Sequence, residues 1–93
     1  MSVTLVVPGQ LRELTGGSST VGLAVDRGTV GQAFDELRDR HPALWDRIFT
    51  EQRELRPHVN VFVDRNDIRW SGGMDTPLPN GSELVVLPSV SGG

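Results

Sequence analysis

Two glycines, Gly92 and Gly93, close the sequence, and the group there that could react is the α-carboxylate of the chain itself. A carboxylate is a poor electrophile until a leaving group such as AMP is installed on it. A thiolate or persulfide can then attack the acyl-adenylate. Because glycine has no Cβ, a Gly-Gly end can enter a narrow tunnel that leads to another protein's nucleotide site. We therefore expect Gly93, with Gly92 behind it, to form the reactive end of the chain.

The side chains, in contrast, offer no recognisable catalytic site. The sequence has no cysteine and no lysine, and its nine basic residues are all arginine, interleaved with acids as on an ordinary solvated surface. A thiolate nucleophile, a disulfide and a lysine Schiff base are therefore excluded. His41 and His58 are far apart in sequence and lack the spacing of metal ligands, so we expect no metal and no bound cofactor. The pairs Gly16, Gly17 and Gly72, Gly73 fit no phosphate-binding motif and are interpreted as turns.

Length and charge narrow the class of protein further. A chain of 93 residues suits one small domain. Its formal net charge of -3 argues against a nucleic-acid binder, which usually shows a basic face. No apolar run approaches the roughly 20 residues that span a bilayer, and no basic-then-apolar leader opens the sequence. We expect a soluble, cytoplasmic protein that is not an enzyme and has neither nucleic acid nor membrane as a partner.

The apolar pattern of the first half predicts a hairpin followed by a helix. Alternation predicts strands at 3–7 and 21–25, joined by a connection rich in glycine and serine. Thr29 stands three residues before Gln32, which is capping-box spacing, so a helix is predicted from there to His41. The apolar stripe of this helix consists of Val30, Ala33, Phe34 and Leu37.

The second half predicts a short helical segment and then further strands. Leu44, Trp45, Ile48 and Phe49 have helical spacing, and Trp45 and Trp70 are both interpreted as packing residues. The strands and turns expected after them are a strand at 59–63, a turn at 64–67, a short returning strand at 68–70 and a last strand at 83–87 that Pro88 closes.

Two strands, one main helix and then further strands bury one sheet face against a single helix, which is an α+β architecture. The first and last strands are the most apolar, so we expect them to lie centrally and to pair in parallel. This arrangement is the β-grasp, or ubiquitin-like, fold, with a mixed sheet of four to five strands. We expect the β-grasp domain to span 1–88 and a flexible tail, 89–93, to carry the reactive carboxylate.

Strand alternation also predicts a surface for partner proteins. Leu84 and Val86 would face the helix, which leaves the residues next to them on the opposite side of the sheet. Several apolar side chains on one open face form a patch, and such patches often bind partners. The docking face predicted in this way consists of Val6, Phe62, Val85 and Leu87. The other expected partner-binding residues are Pro88 and, in the tail, Val90 and Ser91.

Four segments of the sequence form a recognisable set: Gln-Leu-Arg-Glu-Leu-Thr-Gly-Gly at 10–17, Asp-Thr-Pro-Leu at 75–78, Asn-Gly-Ser-Glu-Leu at 80–84 and Leu-Pro-Ser-Val-Ser-Gly-Gly at 87–93. Together they resemble the MoaD/ThiS/CysO family of ubiquitin-like sulfur carriers. The resemblance implies that a MoeB/ThiF-like enzyme uses ATP to adenylate the Gly93 carboxylate and converts it to a thiocarboxylate. The sulfur would then pass to a client biosynthetic enzyme.

The ending looks most like the CysO branch, which supplies sulfur to a cysteine synthase acting on O-phosphoserine. Molybdopterin-synthase small subunits often carry an aromatic residue near position 87 and a second proline near 89, and this chain has neither. The expected client is therefore cysteine synthase-like, with a thiosugar-forming enzyme or molybdopterin synthase as alternatives. Two other classes are a ubiquitin-like modifier, which forms amide bonds with its targets, and a binding module with an inert tail.

Overall fold

Five strands form one mixed sheet in the computed structural model, which describes residues 2–25 and 28–88. In space their order is second, first, fifth, third, fourth. The first and fifth strands pair in parallel, as predicted, and the other neighbours are antiparallel. The strands are β1 (Ser2–Val6), β2 (Thr20–Ala24), β3 (Val59–Val63), β4 (Asn66–Asp67) and β5 (Glu83–Pro88).

Two helices, α1 (Val30–Arg40) and α2 (Pro42–Ile48), cover one side of this sheet. The capping box predicted for α1 is confirmed. The Thr29 hydroxyl accepts from the backbone N–H of Gln32, and the Gln32 side chain accepts from the backbone N–H of Thr29. The core between the two layers includes Leu5, Leu23, Phe34, Leu37, Leu44, Ile48, Val61, Leu84 and Val86, all at most 2% exposed.

The segment Ile68–Trp70 is a 3-10 helix, so the strand predicted there is wrong. The returning strand is β4, and only residues 64 and 65 form the turn before it. Asp67 explains the difference, because its side chain accepts from the backbone N–H of Arg69 at 2.9 Å and caps the new helix. A short carboxylate side chain commonly competes with strand pairing in this way.

Trp70 is 86% exposed, so its interpretation as a packing residue is also wrong. In a strand, Ile68 and Trp70 would share a face, but a 3-10 helix has about three residues per turn and points them in different directions. Only Ile68 enters the core. Trp45, in contrast, is buried and stacks on Phe49 with ring centroids 4.8 Å apart.

The connection between β1 and β2 contains a 3-10 helix, Gly9–Thr15, that the sequence pattern did not reveal. Its leucines, Leu11 and Leu14, are partly buried against the core. Gly16 and Gly17 end this helix with φ angles of 67° and 90°, a left-handed conformation that favours glycine. The predicted turn at these two glycines is thus confirmed, although the segment before them is ordered as a helix.

The strand that leads to the predicted reactive end lies in the middle of the sheet. β5 is bordered by β1 on one side and by β3 on the other. Its last residue, Pro88, is opposite Val59. The predicted tail at 89–93, with Val90, Ser91, Gly92 and Gly93, lies outside the described residues. In residues 2–25 and 28–88, no helix has the length and apolar character needed to cross a membrane.

Candidate functional site

The strand register brings the four residues of the docking face together on the side of the sheet away from α1. Val85 is opposite Val6 on β1 and opposite Phe62 on β3, and directly paired residues lie on the same face of a sheet. Leu87 follows two positions after Val85, on the same face, and is 49% exposed. The role of this face in binding partners stays a prediction.

The core determines which β5 side chains point outward. Leu84 and Val86 are 0% and 2% exposed on the helix side of the sheet. A shift of β5 by one residue in register would expose both side chains to solvent and bury the charged Glu83. The apolar core strongly disfavours that exchange. Since β5 ends at Pro88, directly after Leu87, the docking face borders the point where the chain leaves the sheet.

An anchored guanidinium lies beside the docking face. Arg69 donates from Nη2 to Oδ1 of Asn60 at 2.6 Å and to Oδ2 of Asp67 at 3.0 Å. Its Nε donates to the same carboxylate at 3.3 Å. In the register, Asn60 is opposite Leu87 and Asp67 is opposite Phe62. The Arg69 head group therefore lies on the outer side of the sheet, next to two residues of the docking face.

The Arg69–Asp67 pair is charged at neutral pH. The side-chain hydrogen bond from Arg69, and then the bond from its backbone N–H, hold the pKa of Asp67 below its ordinary value of 3.8. The same side-chain bond raises the pKa of Arg69. The Asp67 side chain is 14% exposed and that of Arg69 is 64% exposed. The geometry is thus a shielded carboxylate that holds an accessible cation.

Sequence reasoning missed this cluster, because it treated the arginines as an ordinary solvated surface. The available signal was the spacing of Asp67 and Arg69 directly after a turn, since an aspartate often accepts from the N–H two residues later. The outward position of Asn60 between the buried Val59 and Val61 was predicted and is confirmed.

A groove of about 680 Å³ adjoins the docking face at Phe62, and Trp70, Pro77 and Pro79 also line it. The two histidines are elsewhere. His41 ends α1, where its N–H donates to Leu37 at 2.7 Å, and His58 is exposed just before β3. Among residues 2–25 and 28–88 there is no group of three His, Cys, Asp or Glu side chains that could hold a metal ion. The docking face is therefore the candidate site among the described residues.

Comparisons with known proteins agree on one family. The ThiS family model matches residues 5–93. Sulfur carrier protein CysO from Mycobacterium tuberculosis is 33% identical over 95 aligned residues, which cover 100% of both chains. Small archaeal modifier protein 1 from Haloferax volcanii is 45% identical over 78 residues, which cover 83% of this chain and 85% of that protein.

A solved structure gives the same result for the fold. A chain in the crystal structure of the Amycolatopsis orientalis BexX/CysO complex superposes with a TM-score of 0.85 at 35% identity, covering 98% of this chain and 99% of that one. The predicted β-grasp fold is confirmed by this likeness and by the parallel pairing of β1 and β5. Since the family model spans nearly the whole sequence and the CysO alignment covers both chains in full, the chain belongs to the ThiS family.

Proposed function

We propose that the chain is a sulfur carrier whose Gly93 carboxylate is adenylated, converted to a thiocarboxylate and used as a sulfide donor in biosynthesis. The observation that carries this proposal is the full-length likeness to CysO, a protein named as a sulfur carrier. The ThiS family match also extends to residue 93, so it includes the Gly-Gly pair.

The chain acts as a co-substrate rather than as a catalyst. Its carboxylate oxygen attacks the α-phosphorus of ATP, and pyrophosphate leaves, which produces an acyl-adenylate. Hydrosulfide then attacks the carbonyl carbon, AMP leaves with the electrons of the C–O bond, and one proton is released. At the client enzyme the thiocarboxylate sulfur displaces a leaving group from an electrophilic carbon and forms a thioester. Hydrolysis of the acyl–sulfur bond then returns the Gly93 carboxylate and leaves the sulfur on the product as a thiol.

The strand that precedes the proposed reactive end, β5, is held between β1 and β3. Gly93 is the fifth residue after Pro88, so the carboxylate lies at most about 18 Å from the end of β5. An enzyme bound at the docking face must therefore have its nucleotide site within that reach. Burial of Leu87 and its three neighbours in such a complex favours binding, since apolar area removed from water contributes about 25 cal/mol per Å² before the costs of association.

Two kinds of partner follow from this chemistry. The first is a MoeB/ThiF-like activating enzyme that uses ATP. The second is a client, with a cysteine synthase-like enzyme favoured over thiosugar-forming enzymes and molybdopterin synthase. The BexX/CysO complex supports a protein partner of this kind, because its CysO-like chain is 35% identical to this one.

The test is the intact mass of the full chain after incubation with ATP, hydrosulfide and an extract of the source organism. We expect a gain equal to the difference between sulfur and oxygen, located at Gly93 and absent when ATP is omitted. A chain that lacks Gly92 and Gly93 is the matched control and should gain nothing. An unchanged mass in an extract that converts CysO to its thiocarboxylate would show that the proposal is wrong.

A ubiquitin-like modifier is the second candidate, and the 45% identity to small archaeal modifier protein 1 favours it. The same acyl-adenylate would then pass its acyl group to an amine of a target protein. Amide-linked adducts of higher mass, stable to hydroxylamine, would identify this outcome in the same incubation. Because the chain has no lysine, no second copy could attach to a lysine of the first.

A further inference from the structure

The outer side of the sheet has opposite charges at its two ends. Glu83, the first residue of β5, is exposed on the same side as Val85 and Leu87. The Arg69 head group lies near the other end, beside the residue opposite Leu87. Positions 83 and 87 are about 13 Å apart along an extended strand. A protein that covers the docking face therefore meets an acid at one end and, at the other, an exposed guanidinium whose charge is balanced by the shielded Asp67 carboxylate.

Arg69 is held in position before any partner binds. Its hydrogen bonds to Asn60 and Asp67 use Nε and Nη2. Among residues 2–25 and 28–88 no acceptor bonds to Nη1, and the Arg69 side chain is 64% exposed, so this nitrogen can donate to a carboxylate of a partner. The hydrogen bonds on Nε and Nη2 already fix the orientation of the guanidinium plane that contains this nitrogen. An arginine immobilised in this way loses little further freedom when it accepts a carboxylate.

Backbone contacts already fill the structural roles that this guanidinium could serve. β4 pairs with β3 through Phe62 with Asp67 and through Val63 with Asn66. The 3-10 helix after β4 is capped through the backbone N–H of Arg69 and does not need its side chain. These backbone contacts do not involve the Arg69 side chain, so a variant that replaces the side chain can keep them.

We propose that Arg69 is a specificity-determining residue of the docking face, where its guanidinium receives a carboxylate of the activating enzyme. The inference rests on the proposed function, which supplies the activating enzyme, and on the predicted role of the docking face in binding it. Trp70 extends the same surface, since it lines the groove that also contains Phe62. Arginine and tryptophan are enriched among the residues that dominate binding energies at protein interfaces. Arg69 orients the bound carrier and does not touch the reacting carboxylate.

The test measures ATP–pyrophosphate exchange with the full chain as the variable substrate. The activating enzyme is purified from the source organism by its exchange activity toward the wild-type chain. The variants are Arg69→Gln, Arg69→Lys and, as a matched loss of charge on the helix side, Arg47→Gln, whose side chain is exposed on α2. Thermal unfolding of each variant verifies that it is folded.

We expect Arg69→Gln to raise KM about tenfold with kcat unchanged, because the lost contact is made equally before and during the reaction. Arg69→Lys should recover part of the affinity, since lysine keeps the charge but lacks the planar fork. Raising the salt concentration should increase KM more for the wild-type chain than for Arg69→Gln.

Equal KM values for Arg69→Gln and Arg47→Gln would overturn the inference and leave the carrier function standing. Failure of the wild-type chain to support exchange in any fraction would instead overturn the proposed function.

Discussion

Leu87 combines substantial exposure with a position directly before the point where the chain leaves the sheet. It is 49% exposed, and its neighbours Leu84 and Val86 are buried on the other side of β5. A change of side chain at position 87 therefore alters the docking face without opening the core. This separation makes Leu87 the residue at which partner binding can be tested apart from folding.

Replacing Leu87 with aspartate is expected to lower the rate of adenylation at least about a hundredfold at subsaturating concentrations of the carrier. The reason is that the substitution removes an apolar contact and places a carboxylate, which loses its hydration on binding, in an apolar interface. In the free protein the new carboxylate stays in water, so the thermal unfolding midpoint should change little. Exchange assays together with thermal unfolding measure both effects.

Ala43→Asp is the matched control, because it places the same charge at an exposed position on α2. This variant should be activated normally. Normal adenylation of Leu87→Asp would show that the docking face is not the surface that the activating enzyme contacts.

Asp67 provides a test of the anchored guanidinium that needs no partner. We expect the carboxyl group of Asp67 to titrate below 3.8 in the wild type, because Arg69 favours its charged form. In Arg69→Gln the pKa should move back up toward that value. Carbon NMR of the side-chain carboxyl group, recorded as the pH is lowered, measures both midpoints. Identical midpoints in the two proteins would contradict the contact.

The sign of the pH effect follows from the direction of this shift. A carboxyl group whose pKa is lower in the folded state stabilises the fold above its unfolded pKa of about 3.8. That contribution is lost as the pH falls through the lower, folded value. The contribution of the Asp67–Arg69 pair to folding is therefore present throughout the neutral range and disappears only in acid.

At the scale of single residues, the sequence predicted positions that depend on periodicity and missed those that depend on one local hydrogen bond. Val85 and Leu87 face outward as alternation requires. The prediction for Trp70 was wrong, because the Asp67 cap begins a 3-10 helix at a place where a strand was predicted. A strand repeats every two residues, whereas this helix has about three residues per turn. The spacing of apolar residues in the sequence gives no sign of a cap formed by a single polar side chain.

Among the elements, α1 depends most clearly on a local signal. Thr29→Ala removes the hydroxyl that accepts from Gln32, and we expect the free energy of unfolding to fall by about 1 kcal/mol. Thr29→Ser keeps a hydroxyl at the cap and should retain most of the stability. Urea unfolding at neutral pH measures both variants. Equal losses in the two would mean that the capping bond contributes nothing.

The elements with a strong apolar period were predictable, and the shortest ones were not. β3 and the buried stripe of α1 lie where alternation and helical spacing place them. β4 has only two residues, which is too short for any period to appear. The 3-10 helix at Gly9–Thr15 has no fully buried residue, so its leucines give only a weak pattern.

For the whole molecule, strand order was predictable because few arrangements bury one sheet face with one main helix. The parallel pairing of β1 and β5 follows from their apolar character and from the crossover through α1. The cluster of Arg69, Asp67 and Asn60 was not predictable, since it joins two strands and a 3-10 helix whose relative positions appear only in the folded chain.

The parallel pairing of β1 and β5 also has a mechanical consequence. A pull on the carboxyl end of β5, resisted at the amino end of β1, drives these two strands lengthwise past each other, because both run in the same direction. The hydrogen bonds along β5 are then strained together in shear and do not open one after another. Forced unfolding is limited by the rate of such an event. The sheet thus resists a pull on β5 of the kind that the proposed entry of Gly93 into a narrow tunnel would exert.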